Sequence, residues 1–266
     1  MSQTRPPAVA NAFYAGDPAI LLQDVQGYLN AVKGVDNNAP KAIIVPHAGY
    51  IYSATVAASA FATLAPLKGK IDRVVLLGPC HRVPVTSMAL CSVDRYRTPL
   101  GLIPIDHSLD ENVLKLAGVE VFDMAHGPEH SLEVQLPFLQ VVLGDFQMLP
   151  IVVGPAPPTQ VANVLEAIWG GSKTLIVISS DLSHDLNYAD AQMMDQMTCT
   201  AIEALDGSGI ANAQACGRHS VKGLLKIAQQ RGLRVKTLDL RNSGDTAGTK
   251  DRVVGYGAWA FWEPRI

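Results

Sequence analysis

Cysteine is scarce in this chain: four in 266 residues (Cys80, Cys91, Cys199, Cys216), widely spaced and without a CxxC pair. That excludes a disulfide scaffold and favours a reduced, cytosolic compartment. No cluster of Lys and Arg occurs, and acidic residues outnumber basic ones 24 to 21, for a net charge of −3. A nucleic-acid or anionic-membrane surface therefore has no electrostatic footprint. The opening stretch MSQTRPPAVANAFYAGDP has no apolar signal core, and no run of roughly 18 apolar residues reads as a membrane span. Internal repeats, low-complexity tracts and Pro/Ser/charge-rich linkers are also missing. The expectation is one soluble, cytoplasmic domain over residues 1–266.

What the chain does have is apolar residues, 48% of the total. They recur in runs of strand length: KAIIVPH (41–47), RVVLLGP (73–79), FQMLPIVVG (146–154), TLIVISSD (174–181) and RVVGYGAWAFW (252–262). Near-continuous Val/Ile/Leu runs are the pattern of strands buried on both faces. Helix-compatible stretches lie between them. DPAILLQDVQGYLNAV carries Asp17 as N-cap and Pro18 at the first helical position. TVAASAFATLAPL, EHSLEVQLPFLQVVL, PTQVANVLEAIWGG, NYADAQMMDQMTCTAIEAL and SVKGLLKIAQQRG follow, the last stopped by Gly232. TSMALCSVDRYRTPLGLIPID alternates and holds two prolines, the mark of a hairpin or edge excursion. The alternation of strands and helices predicts an α/β fold, a three-layer α/β/α sandwich on a mixed, largely parallel central sheet.

Three of the seven histidines fall just beyond a predicted buried strand: His47 after AIIVP, His81 after VVLLGPC, and His184 after LIVISSDLS. In open α/β sheets that edge is where ligands bind. Imidazole is the commonest metal ligand and titrates near neutrality, so such a cluster means metal, acid/base chemistry or both. Asp181 could ligate, orient an imidazole, or simply cap a turn. In GPEHSLEVQLPFL, helical spacing places Glu129 and Glu133 on one face, with His130 and Gln135 in the same segment; a solvated first turn is the plain alternative. In ACGRHSV, with Cys216 and His219, the thiol precedes a helix, where its pKa should fall; a buried inert cysteine is the alternative.

Seven blocks, PAVANAFYAGDP, VPHAGYIYSATVAASAF, LLGPCHRV, EHSLEVQLPFLQ, SSDLSHDLNYADA, CGRHSV and NSGDTAGTKDRVVGYGA, together resemble the Memo family. Its prokaryotic members are called AmmeMemoRadiSam system protein B, and the blocks run from residue 7 to 258. The resemblance implies a fold like that of the LigB-like class III extradiol dioxygenases, with a metal pocket at one sheet edge. It assigns His47, His81 and Cys216 to the metal, His184 to acid/base work, His130 to the substrate side, and Asp181 to the pocket wall. It also implies AMMECR-type and radical SAM partner proteins, since this chain has no CxxxCxxC motif of its own. Two positions depart from the family pattern: Asn11, where Gly is usual, and Cys80, where Asn or Ser is common. Cys80 reads as packing rather than a second soft ligand.

The dioxygenases complete their metal triad with a carboxylate, which suits Fe(II) oxygen chemistry, whereas a thiolate suits zinc, copper or an iron of altered potential. Ring cleavage is therefore not carried over. Two functions stay open. One is an iron- or copper-dependent oxidoreductase acting on a small organic molecule; the other is a non-catalytic metal- or peptide-binding adaptor. Metal-assisted hydrolysis with zinc is weaker, because HxHxDH and HExxH spacings are missing. Tyr50 and Tyr52 could line the pocket or pack in the core.

Overall fold

The computed structural model describes residues 3–35 and 38–264. It begins β1 (Thr4–Arg5), α1 (Pro18–Ala31), β2 (Ala42–Val45), α2 (Tyr50–Phe61), β3 (Arg73–Pro79), β4 (Met88–Leu90), β5 (Arg95–Thr98) and β6 (Gly101–Pro104). Next come α3 (Asp110–Leu114), β7 (Val119–Val121), α4 (Asp123–His126), α5 (Leu136–Leu143), β8 (Gln147–Val153), α6 (Pro158–Ile168) and β9 (Thr174–Ser179). β10 (His184–Leu186), α7 (Tyr188–Glu203), α8 (Arg218–Arg231), β11 (Arg234–Asn242) and β12 (Val253–Trp262) follow. The main sheet runs β10-β12-β2-β9-β3-β8-β4-β7, with β11 also paired to β12.

The expected runs became the central strands. Side chains of β2 alternate between two cores, Ile43 and Val45 on one face and Ala42 and Ile44 on the other. Helices α1, α2 and α5 cover the first face through Leu21, Val25, Ala54, Phe61 and Phe138. Helices α6, α7 and α8 cover the second through Val161, Leu165, Ile202 and Leu224. This is an α/β/α arrangement on a mixed sheet. In this sheet, among the described residues, parallel pairing is confined to β2–β9, β9–β3, β3–β8 and β4–β7, four of eight pairings. The C-terminal strands reverse direction through a short return, which needs no crossover helix.

Local chemistry sets the helix ends. Asp17 accepts from the N–H groups of Ala19 (2.9 Å) and Ile20 (3.0 Å), and Gly232 ends α8 at φ 65°. The Tyr50–Leu67 stretch is apolar and long enough to cross a membrane by composition, with mean hydropathy 1.3, but 61% of it is buried inside the protein. The expected excursion begins as β4 of the main sheet, and its proline-bearing remainder is a β5–β6 hairpin that joins β1 in a separate three-stranded sheet. Asn11, at a position that favours glycine, sits at φ 64° and accepts from the Gly16 N–H at 2.9 Å.

The N-terminal segment is tied down by one buried ion pair. Arg5 pairs with Glu133, and both are buried (4% and 0% exposed). Glu133 also accepts from the N–H groups of Ala8 (2.7 Å) and Val9 (3.0 Å) and from the Tyr14 hydroxyl. Arg5 spends its other donors on the carbonyls of His126 (2.9 Å) and Glu129 (2.5 Å). Removing one member of such a pair strands the other charge without water. Glu133→Ala should therefore cost about 3–5 kcal/mol in denaturant unfolding, and Arg5→Met with Glu133→Gln together should cost less than the sum of the singles. A loss below about 1 kcal/mol for Glu133→Ala would place the pair among energetically idle ones.

Candidate metal centre

Strands β2, β9 and β3 are adjacent and parallel, so their C-terminal ends share one edge. His47 follows β2, Ser179 to Asp181 end β9, and His81 follows β3. Cys216 arrives from the loop preceding α8. The ligating atoms of His47, His81 and Cys216 all lie within 4.8 Å of one another. His47 Nε2 and Cys216 Sγ are 3.3 Å apart. A Cβ on Gly217 would lie 2.6 Å from the Ser179 carbonyl oxygen, so glycine is what lets the Cys216 loop rest on the end of β9.

Hydrogen bonds aim these groups. Glu129, 2% exposed, accepts from the His81 main-chain N–H (2.5 Å) and from His81 Nδ1 (2.9 Å). It also accepts from the N–H groups of His130 (2.9 Å) and Ser131 (2.8 Å). Because a carboxylate only accepts, the His81 proton sits on Nδ1 and leaves Nε2 bare, the carboxylate–histidine arrangement common behind metals. Asp181 takes the His47 N–H on Oδ1 at 2.7 Å, and its own N–H points at Cys216 Sγ at 3.3 Å. His81, Glu129 and His130 are equally close to one another. There, however, the carboxylate is already filled by N–H donors, which repel a cation.

Charges at the site follow burial and partners. The His47 imidazole is held well below its ordinary value by burial first, then by the neighbouring His81 and His130. Burial alone would raise Glu129, but the bonds from His81 and Ser131 hold it at about 2. Asp181 is raised by burial despite the bond from His47. Burial, reinforced by the Asp181 charge, pushes the Cys216 thiol up. The lowered thiol pKa expected from its place before a helix is thus overturned: desolvation outweighs the helix end.

His130 is buried, with its ring 4.6 Å from His81, 5.5 Å from His47 and 4.8 Å from Phe13. Burial lowers its pKa, and Nδ1, 3.3 Å from Glu129 Oε1, makes no hydrogen bond. His184 is exposed and outside the three-ligand group; Nδ1 donates to the Leu182 carbonyl at 2.9 Å. It is near enough for its charge to act on His47 and Asp181. His219 instead bonds the Ala156 carbonyl at 3.0 Å. Cys80 donates to the Val83 carbonyl (2.8 Å) and packs against the core. Tyr50 is a core residue bonded to the Val134 carbonyl (2.8 Å), whereas Tyr52 is 37% exposed.

One expectation fails outright. Glu129 and Glu133 do not share a helix face, since α5 begins only at Leu136 after a 3₁₀ turn over Glu133–Gln135. Nor is the segment solvated: Glu129, His130, Glu133 and Gln135 are all buried. The groups that sequence reasoning left without a role are Glu129, Ser131, Gln135 and Ser179. For Glu129, Ser131 and Ser179 the one signal is the polar EHS and SSD stretches directly beside apolar runs; Gln135 carries none.

A family model described as "Memo-like protein" matches residues 5–260. A MEMO1 family protein of Sulfolobus acidocaldarius is 33% identical, the match covering 95% of this chain and 97% of that protein. MEMO1 family proteins of Methanosarcina barkeri (36% identical; 96% and 98% covered) and Aquifex aeolicus (35% identical; 97% and 99% covered) match over comparable lengths. With a family match spanning the same residues that carry the strand-edge cluster, this chain belongs to the Memo family.

Proposed function

We propose that the chain binds one transition-metal ion through His47, His81 and Cys216 and acts as a non-haem, metal-dependent oxidoreductase on a small organic molecule. The observation that carries this is the meeting of two imidazole nitrogens and a sulfur at the sheet edge. Ligands 2.0–2.1 Å (nitrogen) and 2.3 Å (sulfur) from a tetrahedral ion stand about 3.5 Å apart; His47 Nε2 and Cys216 Sγ are 3.3 Å apart. Neither nearby carboxylate completes a dioxygenase-type triad. Glu129 is consumed by N–H donors, and Asp181 gives Oδ1 to the His47 N–H and stands outside the three-ligand group. Two neutral nitrogens and a soft sulfur favour copper, zinc or an iron of altered potential. An iron or copper ion held there would supply electron-transfer chemistry.

The chain's own residues handle the rest. His184 donates Nδ1–H to Leu182, so Nε2 is its basic nitrogen and can take a substrate proton. His130, stacked on His81 and packed at a tilt against Phe13, offers a neutral imidazole to orient substrate. Asp181 holds the His47 loop by its side chain and the Cys216 loop by its backbone, whose carbonyl accepts the Cys216 N–H at 3.3 Å. Kinship of fold with the LigB-like dioxygenases is part of the same reading, supported by the α/β/α layers and a site at the strand ends. Metal analysis of anaerobically purified protein is the direct test; a chain that takes up no ion would favour the adaptor reading.

Substitutions should divide the site into two classes. His47→Ala and His81→Ala should each strip the metal, because each removes a bond to it. His184→Ala should keep metal and reduce turnover by about 10²–10⁴. Metal stoichiometry and thermal melting, measured side by side, decide the matter. Metal loss in His184→Ala equal to that in His47→Ala would make His184 a ligand and end its assignment as base.

The raised thiol pKa gives a pH dependence of known sign. Since burial and Asp181 keep Cys216 protonated through pH 7–9, each ion bound must expel its proton. Affinity for Zn²⁺ should rise with pH, approaching about tenfold per unit. Calorimetry in buffers of different ionisation heat should count about one proton released per ion at the sulfur. In Cys216→Ser that proton should disappear; an unchanged count would show that the sulfur is not a ligand.

A further inference from the structure

Ser179, Gln135 and Ser131 are each fully buried, 0% exposed, and lie behind His47 rather than in the ligand group. Four contacts join them. Gln135 Nε2 is 2.9 Å from the Pro46 carbonyl and 2.8 Å from Ser179 Oγ. Ser179 Oγ is 2.7 Å from the Ser131 carbonyl and 2.8 Å from His47 Nδ1.

The directions of these bonds follow from the two carbonyls, which can only accept. The Pro46 oxygen requires an N–H, so the Gln135 amide must turn its nitrogen toward it. That nitrogen's second hydrogen then points at Ser179 Oγ. The Ser131 oxygen likewise requires a donor, and the only one at that contact is the single Ser179 hydroxyl proton. If that proton turned to His47 instead, two oxygens would face each other at 2.7 Å with nothing between them. Ser179 has thus spent its proton and offers His47 only a lone pair. His47 must therefore carry its hydrogen on Nδ1.

From this we infer that Ser179 and Gln135 are positioning residues that fix the tautomer of His47, leaving the Nε2 lone pair aimed at the Cys216 sulfur before any ion arrives. The consequence for metal binding rests on the three-ligand reading above; the tautomer itself does not. The two imidazoles are held by unlike devices: a carboxylate behind His81, and a neutral hydroxyl whose direction is set by an amide and two carbonyls behind His47. Loss of such a partner behind a metal-binding histidine typically lowers affinity about 10–100-fold.

Side-chain ¹⁵N NMR of the metal-free protein reads the tautomer directly. Wild type should show His47 protonated at Nδ1 and bare at Nε2. In Ser179→Ala the two tautomers should mix, and Zn²⁺ affinity, measured by competition with a chromophoric chelator, should fall about 10–100-fold. Ser179→Thr, which restores a hydroxyl, should recover both readouts. His47 protonated at Nε2 in wild type overturns the inference, whether or not the variants fold. So does a Ser179→Ala protein that keeps the wild-type tautomer and affinity. A wild type that binds no zinc, copper or iron ion would refute the metal reading alone, and the NMR result would still decide the tautomer.

Discussion

The site depends on one carboxylate. Glu129 is buried and ionised, a state that costs several kcal/mol in a dry interior unless its oxygens are satisfied. It is satisfied by donors from two separate loops, the one after β3 and the one before α5. Moving either loop would strand the charge, so the two are locked together. The main chain of Glu129 is itself gripped by Arg5, whose partner Glu133 gathers the N-terminal segment. The aim of the His81 ring is thus set by contacts reaching back to the start of the described chain.

The sheet supplies what these loops need. Parallel strands buried on both faces end together, and their last residues turn N–H groups and small side chains toward a common edge. Ser179, directly beside Val45 in the β2–β9 register, belongs to the strand and is as deeply buried as the core beneath it. The Cys216 loop is admitted against that strand end because Gly217 has no Cβ to collide with it. Core packing and site geometry are here the same constraint.

Much of this was legible in the residues, for identifiable reasons. The buried strands declared themselves by uninterrupted Val, Ile and Leu, and His47 and His81 by standing immediately after them. β11 was not foreseen because RVKTLDLRN interleaves charges with apolar residues on a half-buried outer strand, giving no clean run or alternation. The Glu129–Gln135 segment was misread because the apolar pattern of α5 extends backwards into it, while burial in contact with distant loops holds it out of a helix. The sign of the Cys216 shift also escaped, since position before a helix is visible in sequence and burial is not. Contacts such as Gln135 to Pro46 and His47 to Ser179 join residues far apart in the chain, and a serine or glutamine carries no mark of its partner.

An ion-binding group can be organised by the ion or by the protein, and the two have different energetics. Where the metal organises its ligands, binding free energy is folding free energy and the apo chain is unstructured. Here the backing hydrogen bonds run to groups of the protein itself: Glu129 to His81, Ser179 to His47, the Asp181 backbone to Cys216. The ordering cost of the imidazoles is met during folding, by a core that buries its strands whether or not an ion is present. For the proposed ion, the thiol proton would remain to be displaced, since burial and Asp181 favour the protonated sulfur. On the proposed metal reading, geometry would be settled by folding and occupancy by proton release from a single sulfur.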